Sequence, residues 1–239
     1  MALTFSDTTN LTGIVQQVRD LMRVDSTQWS TTKIANSCNN WKDNLTGYAI
    51  GADKRFQWDN TNHTKLPEGT TELTQDQTDY SFLTDEQGNA IITLTGVSVL
   101  QNVSYIPLLP VDRNDQSEDS AHFGTTRGVI TKYDKIADNI IRLDAKPETT
   151  VASGLKFFFQ RTSPYFTADD TTETTGFSPL LDRGFIIAAA YDGALALGLP
   201  NLQALSVELQ KEEKKMIQYF EDRNQDEQGI LRAIRINFR

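Results

Sequence analysis

His63 and His122 are the two histidines of the chain, and Cys38 is its one cysteine. These side chains are the ones best suited to ligate a metal or to attack an electrophile near neutral pH. Zinc chemistry needs such residues in company, as two histidines one helical turn apart around a glutamate or as paired cysteines. Neither histidine stands in a His-Glu-x-x-His pattern, and neither has a second ligand at metal spacing. Both read as surface residues in polar loops. A single cysteine can form neither an internal disulfide nor a cysteine-based metal site, so Cys38 fits a chain that folds in a reducing cytoplasm. No Gly-x-Ser-x-Gly elbow marks a nucleophilic serine, and no Gly-x-Gly-x-x-Gly or Walker lysine loop marks a phosphate cradle. Asp169-Asp170 resembles a carboxylate pair, yet neighbours along an extended chain point apart, and the Thr-rich surroundings read as a loop. Asp112, Asp115, Glu118 and Asp119 could hold a divalent ion loosely but lack the glycine-and-glutamate frame of an EF-hand. The expectation is a chain that is not an enzyme, with no catalytic residue, no cofactor and no metal.

Composition narrows the class further. The 239 residues are 38% hydrophobic and 23% charged, which suits a globular chain of one large domain or one domain with an insertion. No run of eighteen apolar residues occurs, so no membrane span is expected. Residues 1–10 lack the basic start and apolar stretch of a secretory signal. The Asn-x-Ser/Thr triplets at Asn10, Asn44, Asn62 and Asn102 are then chance products of an Asn- and Thr-rich chain. The net charge is -9. General nucleic-acid binders need clustered Lys and Arg, so this balance argues against one. Residues 228–239 hold three of the 23 bases (Arg232, Arg235 and Arg239) and none of the 32 acids, which leaves -12 on residues 1–227. An acidic body with a short basic tail suggests a tail that docks elsewhere.

Periodicity supplies the elements that would carry such a tail. Leu11, Ile14, Val15, Val18, Leu21 and Met22 recur at helical spacing and predict a helix over 10–24, capped by Thr9 or Asn10. Ile34, Cys38, Trp41, Leu45 and Tyr48 predict a second helix over 30–50, stopped by Gly51. The short connection makes the two an antiparallel pair. From residue 54 the texture turns to short β-rich runs, read as strands over 56–58, 70–73, 78–82, 91–94, 96–103, 128–133, 139–143 and 155–161. Gly88-Asn89 and Asp138-Asn139 signal tight turns, and Pro107 and Pro110 belong at an edge or in a loop. Helices return at Ser178-Pro179, where Leu180, Leu181, Phe185, Ile187, Tyr191, Leu195 and Leu197 fill much of a helix circumference before Gly198 and Pro200. Asn201 caps a last helix to about residue 223, whose run Lys211 to Lys215 reads as a solvated face. Beyond it, Ile230, Ile234, Ile236 and Phe238 recur at even positions with Arg232 among them, the period of a strand. Trp29, Trp41, Trp58 and Phe157 to Phe159 read as core or interface anchors.

The expected fold class is therefore α+β. Residues 1–53 and 163–227 form a four-helix bundle from N- and C-terminal helix pairs. Residues 54–162 form an inserted β-sandwich or barrel-like domain, and residues 228–239 an extended C-terminal arm.

The order of these pieces, with the runs Arg55-Phe-Gln-Trp-Asp-Asn, Thr70 to Phe82, Gly154 to Arg161, Tyr165-Phe and Tyr219-Phe220, resembles the head–tail connector (adaptor) family of tailed bacteriophages. The likeness spans roughly residues 5–227 and is textural rather than catalytic. It covers the tail-tube adaptors of short-tailed phages and the head–tail adaptors of long-tailed ones. The resemblance implies a structural neck protein of the virion, made in the host bacterial cytoplasm. It implies a homo-oligomeric ring of twelve copies beneath the portal protein, joined to a downstream neck or tail protein. DNA would pass through without sequence-specific binding during genome ejection, and no membrane is involved. The resemblance further implies that the C-terminal arm binds the portal or a neighbouring subunit, through Ile230, Arg232, Ile234, Arg235, Ile236, Phe238 and Arg239. An unpaired amphipathic strand otherwise invites aggregation, although the arm could also fold back on its own β domain. The acidic body suits a lumen that repels phosphate, and it suits plain solubility equally. Other readings are a stopper or minor tail protein, or a β module for carbohydrate binding that would use exposed aromatics such as Trp58 or Tyr133.

Overall fold

The computed structural model of the chain describes residues 3–52, 58, 67–112 and 123–222. The first helix, α1, spans Ile14–Met22 and buries Ile14, Val15, Val18 and Met22. It starts later than the apolar stripe predicts. The Asp7 carboxylate accepts bonds from the backbone N–H of Thr9 and Asn10 and from the Thr12 hydroxyl. A side chain that bonds its own local backbone in this way favours a turn over a helix. Gly13, not Thr9 or Asn10, therefore stands at the N-cap. Helix α2 spans Thr31–Ala52 and buries Ile34, Cys38, Trp41 and Leu45. It runs through Gly51 rather than stopping there, and Tyr48 is exposed.

A single 3-10 turn, Pro179–Leu181, leads into α3, Asp182–Leu197, and α4 spans Leu202–Asp222. α3 is buried on nearly every side over its first thirteen residues, while Leu180, Leu195 and Leu197 at its two ends are exposed. α3 packs against α1, α2 and α4, and α2 also meets α4. Small residues permit these approaches. A Cβ on Gly184 would sit 2.9 Å from Nε1 of Trp41. Gly198, at φ +64, ends α3 with its N–H on the last carbonyls. The N-terminal segment joins the same unit: Phe5 stacks on Phe166 at 4.5 Å between ring centroids, and Leu3 N–H donates to Asp182.

The β region holds eight strands: β1 (Glu68–Leu73), β2 (Asp79–Ser81), β3 (Ile91–Gln101), β4 (Ser104–Pro107), β5 (Leu109–Val111), β6 (Lys132–Ala137), β7 (Ile140–Leu143) and β8 (Val151–Arg161). They form two four-stranded sheets, in the orders β1-β8-β3-β4 and β2-β7-β6-β5. The runs 91–94 and 96–103 are one strand, β3, with register shifts at Ile91/Thr93 and Leu94/Gly96. Asn102-Val103 and Asp138-Asn139 close two-residue hairpins. Pro107 and Pro110 both sit in edge strands, β4 and β5, where a missing N–H is tolerated. Both sheets share one core that includes Leu73, Tyr80, Phe82, Val97, Ile141, Leu143, Leu155 and Phe157. They are not closed into a barrel, because the two sheets keep separate edges; the barrel-like alternative is thus corrected.

By contact, the chain divides into two compact units, Met1–Arg55 with Tyr165–Arg239, and Phe56–Pro164.

Candidate functional site

Among the described residues, Cys38, Lys42 and Asp182 are taken up by packing. Cys38 is fully buried, and burial pushes its thiol up to about 12, so it stays protonated and inert. Lys42 is 2% exposed, with its Nζ 3.5 Å from the centroid of the Phe166 ring. Burial pulls its pKa down to about 8. Sealed in this way, the amine meets no dissolved substrate. Asp182 is likewise buried, which raises its pKa, and it accepts from the Thr175 hydroxyl at 2.7 Å. Asp170 accepts from Thr167 N–H at 2.7 Å, so the Asp169-Asp170 pair holds a turn. Among the described residues no three His, Cys, Asp or Glu side chains gather as a metal site, and no helix is long and apolar enough to cross a membrane. His63, His122, Asp115, Glu118 and Asp119 lie outside the described residues.

The aromatic residues divide in the same way. Trp29 and Trp41 belong to the helical core, and Phe157 and Phe159 to the sheet core. Trp58 and Tyr133 are 7% and 6% exposed, so neither offers a ring face to a sugar.

One concave surface stands out within the β unit. A groove of about 670 Å³ opens between the start of β1 and the segment that leaves β2, from Ser81 to Gln87. Phe82, Phe157 and Phe159 line it, with Phe82 and Phe157 4.1 Å apart between centroids. Gly69 lies over this floor; a Cβ there would sit 2.7 Å from Cζ of Phe157. A glycine in a strand interior marks a place where something approaches closely.

The groove's rim is acidic and ordered. Glu68, Asp85 and Glu86 line it with one base, Arg161. Arg161 donates to Asp85 at 2.7 Å and to Gln87 at 2.8 Å. Lys156 pairs with Glu68 at 2.6 Å. Burial works to raise the Asp85 pKa, but bonds from Asn89 and Arg161 outweigh it and hold the carboxyl below its ordinary value. Asp85 thereby fixes the 85–89 turn as one wall of the groove, accepting from the N–H of Gln87 and Asn89. An apolar floor, a polar rim and a neighbouring strand edge can hold an extended peptide.

The arm residues Ile230, Arg232, Ile234, Arg235, Ile236, Phe238 and Arg239 also lie outside the described residues. The groove escaped the sequence reading. Its walls come from residues that only the strand register brings together; the one local signal was Gly69 inside a strand beside the Phe157-Phe158-Phe159 run.

No protein-family model matches the chain, and no curated protein matches it by sequence.

Proposed function

We propose that the chain is a structural head–tail adaptor of a tailed phage, assembling as a ring beneath the portal and joining it to the tail around a channel for DNA. In this reading the helix pairs α1–α2 and α3–α4 form a four-helix bundle that builds the ring, and the β unit faces the next component. The observation that carries the reading is the order of pieces. The chain enters a helical unit, leaves it for a β unit with its own core, and returns to complete the helices around α3. Among the described residues, Asp85, Asp170 and Asp182 serve turns, ion pairs and packing. The excess of -12 on residues 1–227 suits a channel through which phosphate slides without sticking.

Electron microscopy of the purified protein, alone and mixed with portal rings, tests this. The reading expects a twelve-fold ring on the tail-side face of the portal, lost when residues 229–239 are deleted. A truncated chain that assembles normally removes the arm from the account. A protein that ignores every portal shifts the assignment to a stopper or minor tail component.

A further inference from the structure

β1 ends its sheet, and its hydrogen-bonding groups can be sorted by direction. Phe159 N–H donates to the Pro67 carbonyl at 3.2 Å. In the antiparallel register this makes Pro67/Phe159, Gly69/Phe157 and Thr71/Leu155 the hydrogen-bonded pairs. Glu68 and Thr70 therefore turn their N–H and C=O away from β8, toward the edge on which no described strand pairs with β1. A row of unmatched backbone groups is a template for another strand. Edges on the other side of the unit are blunted by Pro107 and Pro110, and β1 contains no proline. Next to this edge lies the groove, with its phenylalanine floor and with the exposed acids Glu68 and Glu86 among its lining.

The chain carries a segment of complementary chemistry. Residues 229–239 alternate Ile230, Ile234, Ile236 and Phe238 with other residues, and hold three arginines and no acid. At roughly 3.3 Å per residue, about half of that segment spans a strand as long as β1. We infer that residues 229–239 of a second copy of this chain add a strand to the free edge of β1. The isoleucines cover Phe82 and Phe157 in the groove, and the arginines lie beside Glu68 and Glu86. Main-chain bonds hold the strand, and the alternate side chains select it. The junction is head-to-tail, so it repeats from copy to copy and builds a ring where the rotation between copies closes. The inference rests on the adaptor reading only in requiring copies to meet.

The test uses full-length chains in sedimentation velocity across a wide concentration range. Thr70→Pro deletes an outward N–H and spares the bonds to β8, a change that an edge strand tolerates. Ile236→Asp spoils the apolar face of the arm. Each variant alone should self-associate at least about tenfold more weakly than the parent, the loss of one or two good hydrogen bonds or a buried side chain. Mixed together they should form a heterodimer, because the first keeps a sound arm and the second a sound edge. Thermal unfolding checks that Thr70→Pro is folded; if it is not, Glu86→Arg on the exposed turn takes its place in the same mixture. A parent that stays monomeric throughout, receiving-edge variants that associate normally, or a mixture that forms no heterodimer overturns the inference. Portal binding by the same proteins separates the two readings. If Ile236→Asp loses portal binding but self-associates normally, this inference fails and the adaptor reading stands. If the mixture pairs but the parent binds no portal, the reverse holds.

Discussion

α3 in the helical unit is enclosed by α1, α2 and α4, whereas the β unit leaves Phe82 and Phe157 beside an open groove. The helical core is completed by its own residues, with Gly184 fitted against Trp41 and with Lys42 and Asp182 sealed inside. Charged groups beside the groove are ion-paired: Arg161 with Asp85, whose side chain is buried too, and Lys156 with the exposed Glu68. The β unit instead stops at a strand edge that no proline blunts, which is where our inference seats a second copy.

Truncation of a core phenylalanine in each unit gives the largest effect and the sharpest contrast. Phe185, fully buried, should cost about 3–5 kcal/mol as Phe185→Ala. Phe82→Ala should cost less, about 3 kcal/mol or below, because water already reaches the groove it lines. Equal losses in urea unfolding would erase the contrast between a closed and an open core.

The sealed lysine gives a pH signature. The folded-state pKa of Lys42, about 8, lies below its ordinary 10.5, so between these values the unfolded chain holds the extra proton. Stability then rises with pH from 8 toward 10, by about 2 kcal/mol. Above pH 10 Tyr165 acts in the opposite sense. Burial and its bond to Asp43 raise its hydroxyl to about 12, so the folded state keeps that proton longer and stability falls as pH climbs further. Lys42→Met should flatten the rise between pH 8 and 10 in denaturant titrations. A persisting rise would mean that the amine is not sealed.

Gly69→Val probes the open side directly. Its Cβ would meet the Phe157 ring, for a loss of about 1–2 kcal/mol in thermal unfolding together with weaker self-association. A variant that unfolds like the parent and associates like it would show that nothing seats over that ring. The smallest effect belongs to the exposed ion pair of Arg142 and Asp79, at 2.6 Å. Arg142→Gln should shift stability by less than about 1 kcal/mol, because solvent screens such pairs. A larger loss would make that outer pair part of the core's support.

The helices were the most legible elements, because long apolar stripes such as Ile34, Cys38, Trp41 and Leu45 are set by burial on one face. Their ends were less legible. Local bonds to Asp7 delay α1, and Tyr48 leaves the expected stripe for solvent. The strand expected over 128–133 falls at Lys132–Ala137, and Pro107 and Pro110, expected at an edge or in a loop, stand in the edge strands β4 and β5, for which no strand was expected. An edge strand uses half its backbone groups, so it tolerates what a central strand does not. The groove could not be read in advance, since Gly69, Phe82, Asp85 and Arg161 meet only through pairing register. The period and charge of residues 229–239 were plain in the sequence, but the edge position of β1 was not.

Amide hydrogen exchange on the full chain, dilute and then concentrated or assembled, tests most directly whether the β unit is completed from outside at β1. The account predicts new protection over Glu68 to Leu73 on assembly, with β4 and β5 unchanged. Protection that arises at β4 and β5 instead, or β1 amides that exchange equally fast in both states, would contradict it.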